Sequence, residues 1–169
     1  ELPSTPQPAA ADVVWLEDDD ARAIDRRQAQ LLDRHWTMLG VSVAVPSYDL
    51  CPNVRIGDIV QQIRAATMTL ARMTDAPVIV SGHSAGGHLT ACMLATDWKA
   101  LDPTAPSDLV AIGSAISGVF DLSKLVHTDM NAEFKLDEKP AHDGSPLFWP
   151  APKGRVMDVI VGAAELPEF

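Results

Sequence analysis

The stretch Pro77-Val78-Ile79-Val80-Ser81-Gly82-His83-Ser84-Ala85-Gly86-Gly87-His88-Leu89 constrains the fold more than any other part of this chain. A run from Pro77 to Ser81, suited to a strand buried on both faces, enters a Gly-x-Ser-x-Gly turn. The turn leads directly into an apolar helix predicted from Ala85 to Asp97. Gly-x-Ser-x-Gly alone is a weak pattern. Between a strand and a helix it is specific, because a sharp, strained turn there projects the serine hydroxyl at the carboxyl end of a sheet. Glycines at 82 and 86 are expected to remove side chains that would collide where strand and helix cross. The Ala85 amide, at the positive end of the helix, is placed to donate to an oxyanion. Ser84 is thus the candidate nucleophile and Ala85 the candidate oxyanion donor. The competing reading is a chance Gly/Ser-rich turn.

The flanking pattern alternates. Val13-Val14-Trp15-Leu16 reads as a short buried strand, and Arg22 to Leu39 as an amphipathic helix ended by Gly40. Val41 to Val45 is a strand stopped by Pro46. Ile56 to Met73 is a helix with Ile56, Ile59, Val60, Ile63, Thr67 and Leu70 on one face. Leu109 to Ile116 and Val156 to Val161 are further strands, the last closed by Gly162. This order predicts an α/β domain spanning 1–169, a mostly parallel sheet with helices on both faces. Residues 117–155 are irregular for too long to be a plain connection and read as a lid or substrate loop. Phe120, His127, Met130, Phe134, Phe148 and Trp149 in it serve either as a pocket wall or as a mini-core that packs the loop down.

Charge and composition narrow the partners. The net charge is −10, from 13 basic and 23 acidic residues, with no basic cluster, so nucleic acid is not an expected partner. No apolar run is long enough to span a bilayer, and no signal-peptide pattern opens the sequence, which points to the cytoplasm. Cys51 and Cys92 form neither a disulfide framework nor a zinc site. Cys92 reads as a small buried hydrophobe, and Cys51 as a loop residue that could line a pocket. His83 and His88 flank the serine, yet neither can take its proton without distorting the turn. His35, His127 and His142 read as surface or loop residues. Glu17-Asp18-Asp19-Asp20 reads as the solvated first turn of a helix. As a hard-cation site it lacks the spacing of a calcium loop.

Four stretches carry a resemblance. They are Pro46-Ser47-Tyr48-Asp49-Leu50-Cys51-Pro52, the turn from Gly82 to Leu89, Ile116-Ser117-Gly118-Val119-Phe120-Asp121-Leu122, and Ser145-Pro146-Leu147-Phe148-Trp149-Pro150. With them the chain resembles the arylformamidase (kynurenine formamidase) branch of the α/β-hydrolases, from Val13 to Phe169. The resemblance implies an α/β-hydrolase fold, here truncated at both ends. It implies a serine hydrolase that cleaves a small-molecule ester or formamide, N-formylkynurenine being the family substrate, with no metal or organic cofactor. It also implies a triad in the order Ser, acid, His, in which Glu165 matches the acid and Glu168 is the alternative. Tyr48, Asp18 and Asp19 fall on the oxyanion and substrate side.

Two departures stand out. The family carries His-Gly-Gly-Tyr-Trp where this chain has Glu17-Asp18-Asp19-Asp20-Ala21. Aspartates keep the backbone N–H but add bulk and negative charge, and losing an oxyanion donor costs ~10²–10³ in rate. The family histidine comes later than Phe169, and no histidine here matches it. The alternative to an esterase or formamidase is therefore a catalytically inactive binding or scaffold module on the same fold. An exposed sheet edge would make a homo-oligomer possible.

Overall fold

Residues 14–16, 41–150 and 153–165 are described in this computed structural model, and the chain divides into two units between Tyr48 and Asp49. In the first unit, β1 (Val14–Leu16) pairs in parallel with β2 (Ala44–Pro46), Val14 opposite Ala44 and Leu16 opposite Pro46. Strand β2 starts later than the sequence pattern suggests and includes the proline expected to stop it. The helix expected over Arg22 to Leu39 and the acidic run Glu17 to Asp20 lie outside the described residues.

The second unit begins with a loop that the Gln62 side chain clamps. Asp49 N donates to Gln62 Oε1 and Gln62 Nε2 donates to Asp49 Oδ2, each at 2.9 Å. Helix α1 (Ile56–Met73) starts where Arg55 N donates to Asp58 Oδ2 at 2.9 Å, satisfying the amide just ahead of the first turn. It buries Ile59, Val60, Ile63 and Thr67, the face its periodicity marks.

Strands β3 (Val78–His83), β4 (Val110–Ile116) and β5 (Val156–Ile160) form a parallel sheet in that order. Helix α2 (Ala85–Ala95) is buried continuously from Gly87 to Leu94, as a helix that is apolar all round must be. It lies on β4 so closely that a Cβ at Gly113 would come within 2.5 Å of Leu94 Cδ1. The short helix α3 (Trp98–Leu101) follows, capped by Asp97, and buries Trp98 completely. The α/β class and the parallel strands match the sequence reading. Helices on both faces do not follow from the described residues. The row Ile79, Ile112 and Val156, in register across the sheet, stays exposed, Ile79 to 62%.

The long segment after β4 folds into short pieces. A 3₁₀ turn spans Leu122–Leu125, α4 spans Asn131–Phe134, α5 spans Glu138–Gly144, and a second 3₁₀ turn spans Pro146–Phe148. Asp121 starts the first turn by accepting from Ser123 N at 3.0 Å. Leu122, Leu136 and Ala141 make a small core, joined by Ile56, Val119, Leu125, Val126 and Phe134. The mini-core reading of this segment therefore holds for Phe134. Phe148 is exposed and stacks on His142 with ring centroids 4.5 Å apart, and the Arg64 guanidinium lies 5.3 Å from the Trp149 ring centre. Among the described residues no helix is long and apolar enough to cross a membrane.

Candidate active site

The site is assembled at the carboxyl ends of the three strands of the second unit. Ser84 sits between β3 and α2 with φ 55° and ψ −113°, a backbone conformation that L side chains rarely adopt. Such strain persists only where the surroundings hold it. Here the Ser84 N–H donates to Ile116 O at 2.9 Å, tying the turn to the end of β4, and His88 N closes the first helical turn on Ser84 O at 3.1 Å. Ser84 and Ala85 are exposed. Ala85 is the first residue of α2, where a helix leaves its amide donors without partners of its own.

The glycines divide their work differently from the sequence expectation. A Cβ at Gly82 would lie 2.4 Å from the Gly86 carbonyl carbon, so Gly82 is required where strand and helix cross. A Cβ at Gly86 would meet nothing within 4 Å among the described residues, so Gly86 contributes a backbone to that crossing and not a missing side chain. The second close approach belongs to Gly87, whose Cβ would come 2.7 Å from Gly118 Cα. That glycine pair lets α2 settle against the segment leaving β4. Neither glycine was singled out for this packing in the sequence, because the contact joins positions distant along the chain.

Glu165 lies in the turn after β5. Its Oε1 accepts from Ser117 Oγ at 2.8 Å and from Gly162 N at 3.2 Å, and Glu165 N donates to Gly162 O at 3.0 Å. Ser117 itself has φ 48° and donates its N–H to Ile160 O at 2.8 Å. The ends of the strands are thus laced in order, Ser84 to Ile116 and Ser117 to Ile160, with the carboxylate attached to the same lacing. Sequence reasoning missed Ser117. It stood in a stretch marked only for its resemblance, and nothing local shows which way a hydroxyl after a strand will turn.

The histidines near the serine are otherwise engaged. His88 is 4% exposed, with Nδ1 2.9 Å from Val119 O and Nε2 3.4 Å from Cys92 Sγ. A carbonyl can only accept, so Nδ1 carries the proton and Nε2 faces the thiol. Burial pushes the His88 imidazolium down from its ordinary range, and burial pushes the Cys92 thiol up to about 12. Both groups are neutral, and Cys92 is the buried hydrophobe its position suggests. His83 is exposed at the end of β3. His127 pairs with Glu138 at 3.3 Å on the outer surface of the long segment, and His142 stacks on Phe148. No described histidine is hydrogen-bonded to Ser84.

Other candidates stand apart. Tyr48 belongs to the first unit and is partly buried, and it makes contacts of its own. Asp18, Asp19, His35 and Glu168 lie outside the described residues. Cys51 is partly buried, and its thiol is raised first of all by burial. Among the described residues no group of three His, Cys, Asp or Glu side chains could hold a metal ion.

Comparison with known proteins gives the chemistry a context. No family model matches the chain. A kynurenine formamidase from Danio rerio is 26% identical over 147 residues, covering 86% of this chain and 49% of that protein. A kynurenine formamidase from Salmo salar is 30% identical over 109 residues, covering 63% of this chain and 36% of its own length. A crystal structure from Silicibacter sp. tm1040, provisionally assigned as a thioesterase, is 41% identical with a TM-score of 0.65 and covers 73% of this chain and 46% of that one. The resemblance read from the four stretches is therefore real. This chain is similar to kynurenine formamidases and spans about half of their length or less.

Proposed function

We propose that this chain carries the nucleophile and the acid of a serine hydrolase on an α/β-hydrolase fold. It cleaves an ester or an N-formyl amide, such as N-formylkynurenine, through an acyl-enzyme on Ser84. The observation that carries the reading is the left-handed φ of 55° at an exposed serine joining a strand to a helix. Conformational strain of that kind is retained where it presents a reacting group. The similarity to kynurenine formamidases supports the substrate class.

Ser84 Oγ attacks the carbonyl carbon, and the oxyanion that forms meets the Ala85 N–H at the positive end of α2. Collapse of the tetrahedral intermediate expels the alcohol or amine, which takes up the proton lost by Ser84, and leaves an acyl-serine for water to hydrolyse. The proton passes through an imidazole oriented by Glu165. Among the described histidines none is hydrogen-bonded to Ser84, and both ring nitrogens of His88 are occupied, so in this reading the imidazole is not one of them.

Intact-mass analysis after incubation with a fluorophosphonate, beside a Ser84→Ala control, tests the proposal. An adduct on the parent chain alone supports an activated Ser84. No adduct on the parent overturns it and leaves a binding module on the same fold as the better account.

A further inference from the structure

We propose that Ser117 is a positioning residue for the acid of this site, acting through its hydroxyl on Glu165. The inference rests on the serine-hydrolase reading and deepens it. Glu165 is an exposed carboxylate on a flexible side chain, and holding such a side chain in one geometry costs rotamer entropy. A carboxylate that must orient an imidazole needs donors to hold it. Two are present, Ser117 Oγ at 2.8 Å and Gly162 N at 3.2 Å, and both address the same oxygen, Oε1. Oε2 has no partner among the described residues and is the oxygen left to face an imidazole N–H.

The backbone at Ser117 makes a structural accident a poor explanation. Its φ of 48° lies where glycine is at ease and a serine is strained. The next residue is a glycine, so the chain does not lack glycines at this corner. What a serine at 117 brings that glycine would not is a CH2OH side chain, and its hydroxyl donates to Glu165. Ser117 is 6% exposed and is held from three sides. Its N–H bonds to Ile160 O at 2.8 Å, the residue before it accepts from Ser84 N at 2.9 Å, and His88 Nδ1 holds Val119 O at 2.9 Å. Gly162 completes the clamp, since a Cβ there would lie 2.8 Å from Oε1 of Glu165. Nucleophile and acid are therefore registered to each other through two backbone hydrogen bonds and one hydroxyl.

The test is the rate of Ser84 modification by an alkyl fluorophosphonate, measured on the full chain and on Ser117→Gly, Glu165→Ala and the double variant. Ser117→Gly relieves the positive-φ strain while removing the short CH2OH side chain, so its unfolding midpoint is expected to stay close to or above that of the parent. Labelling is expected to slow by roughly tenfold or more, because a misplaced positioning group loosens the geometry of the reacting residue. In the Glu165→Ala background Ser117→Gly is expected to have no further effect, because both act through one carboxylate. Parent-like labelling of Ser117→Gly alongside slow labelling of Glu165→Ala overturns this inference and leaves the hydrolase reading standing. So does an effect of Ser117→Gly that persists undiminished without Glu165. Parent-like labelling of Glu165→Ala removes the acid and this inference with it. A parent chain that takes no label at all overturns both.

Discussion

His88 Nε2 lies 3.4 Å from Cys92 Sγ, four residues further along the same helix, within the continuously buried stretch of α2. With Nδ1 bound to Val119 O, this ring braces α2 against the segment that leaves β4. Its chemistry is that of a neutral strut. Burial disfavours the imidazolium in the folded state, so the folded chain resists protonation at pH values where the unfolded chain accepts a proton. The stability this neutrality contributes is complete above the unfolded histidine pKa of about 6.5 and is lost as pH falls toward the lower folded value. Thermal unfolding followed from pH 7.5 to 5 should show a falling midpoint, with a slope of up to about 1.4 kcal/mol per pH unit from this residue. His88→Asn keeps a donor for Val119 O and cannot titrate. An acid limb of equal steepness in that variant would show that another group is responsible.

The two glycines of the turn should respond in opposite ways. Gly82→Ala places a methyl group 2.4 Å from a backbone carbon of Gly86, and backbone cannot swing aside as a long side chain can. A loss of about 1–3 kcal/mol is expected in urea unfolding, with Ser84 displaced. Gly86→Ala meets no such obstacle among the described residues and lies inside a helix, so it should be neutral or stabilising by up to about 1 kcal/mol. Equal losses in both variants would mean that the crossing is not the constraint described here.

Ser145 is the hinge pin of the long segment. Its Oγ accepts from Leu122 N and donates to Ala141 O, each at 2.7 Å, and the residue is fully buried. Ser145→Ala leaves the Leu122 amide buried without a partner, at an expected cost of about 1–3 kcal/mol. Hydrogen exchange should show faster opening over residues 122–148, with α1 and α2 unchanged. Uniform loss of protection across the second unit would argue against this segment opening by itself.

Arg155 closes the opposite end of the sheet. Its Nη1 donates to Leu94 O and Thr96 O, and its Nη2 to Ser107 O at 2.7 Å. These carbonyls stand at the carboxyl end of α2 and in the loop before β4, where a cation also meets the negative helix end. Arg155→Ala should cost about 2 kcal/mol in denaturant unfolding. Arg155→Lys should recover little of it, since a single ammonium cannot span three carbonyls. Full recovery by lysine would show that charge alone suffices.

Much of the second unit was legible in the sequence. Helix α1 runs from Ile56 to Met73 as its periodicity predicts, and the strands around Ile79, Ile112 and Val159 lie within a residue or two of their apolar runs. Those signals are local, because burial of one face or two imposes a period on neighbouring residues. The strained serine was legible for the same reason, since a strand, Gly-x-Ser-x-Gly and an apolar helix are contiguous in the chain. The rest depended on contacts between distant positions. That Gly87 and not Gly86 supplies the second close approach depends on Gly118, which arrives with β4. That His88 is a strut follows from Val119 and the burial around Cys92, and that Glu165 is clamped follows from Ser117 lying beside Gly162. Periodicity and turn chemistry were enough to read the elements and to single out Ser84 at its strained turn. Which groups hold Ser84 and Glu165 emerged only in the folded chain, because hydrogen bonds and close packing between strand ends have no periodic signature along it.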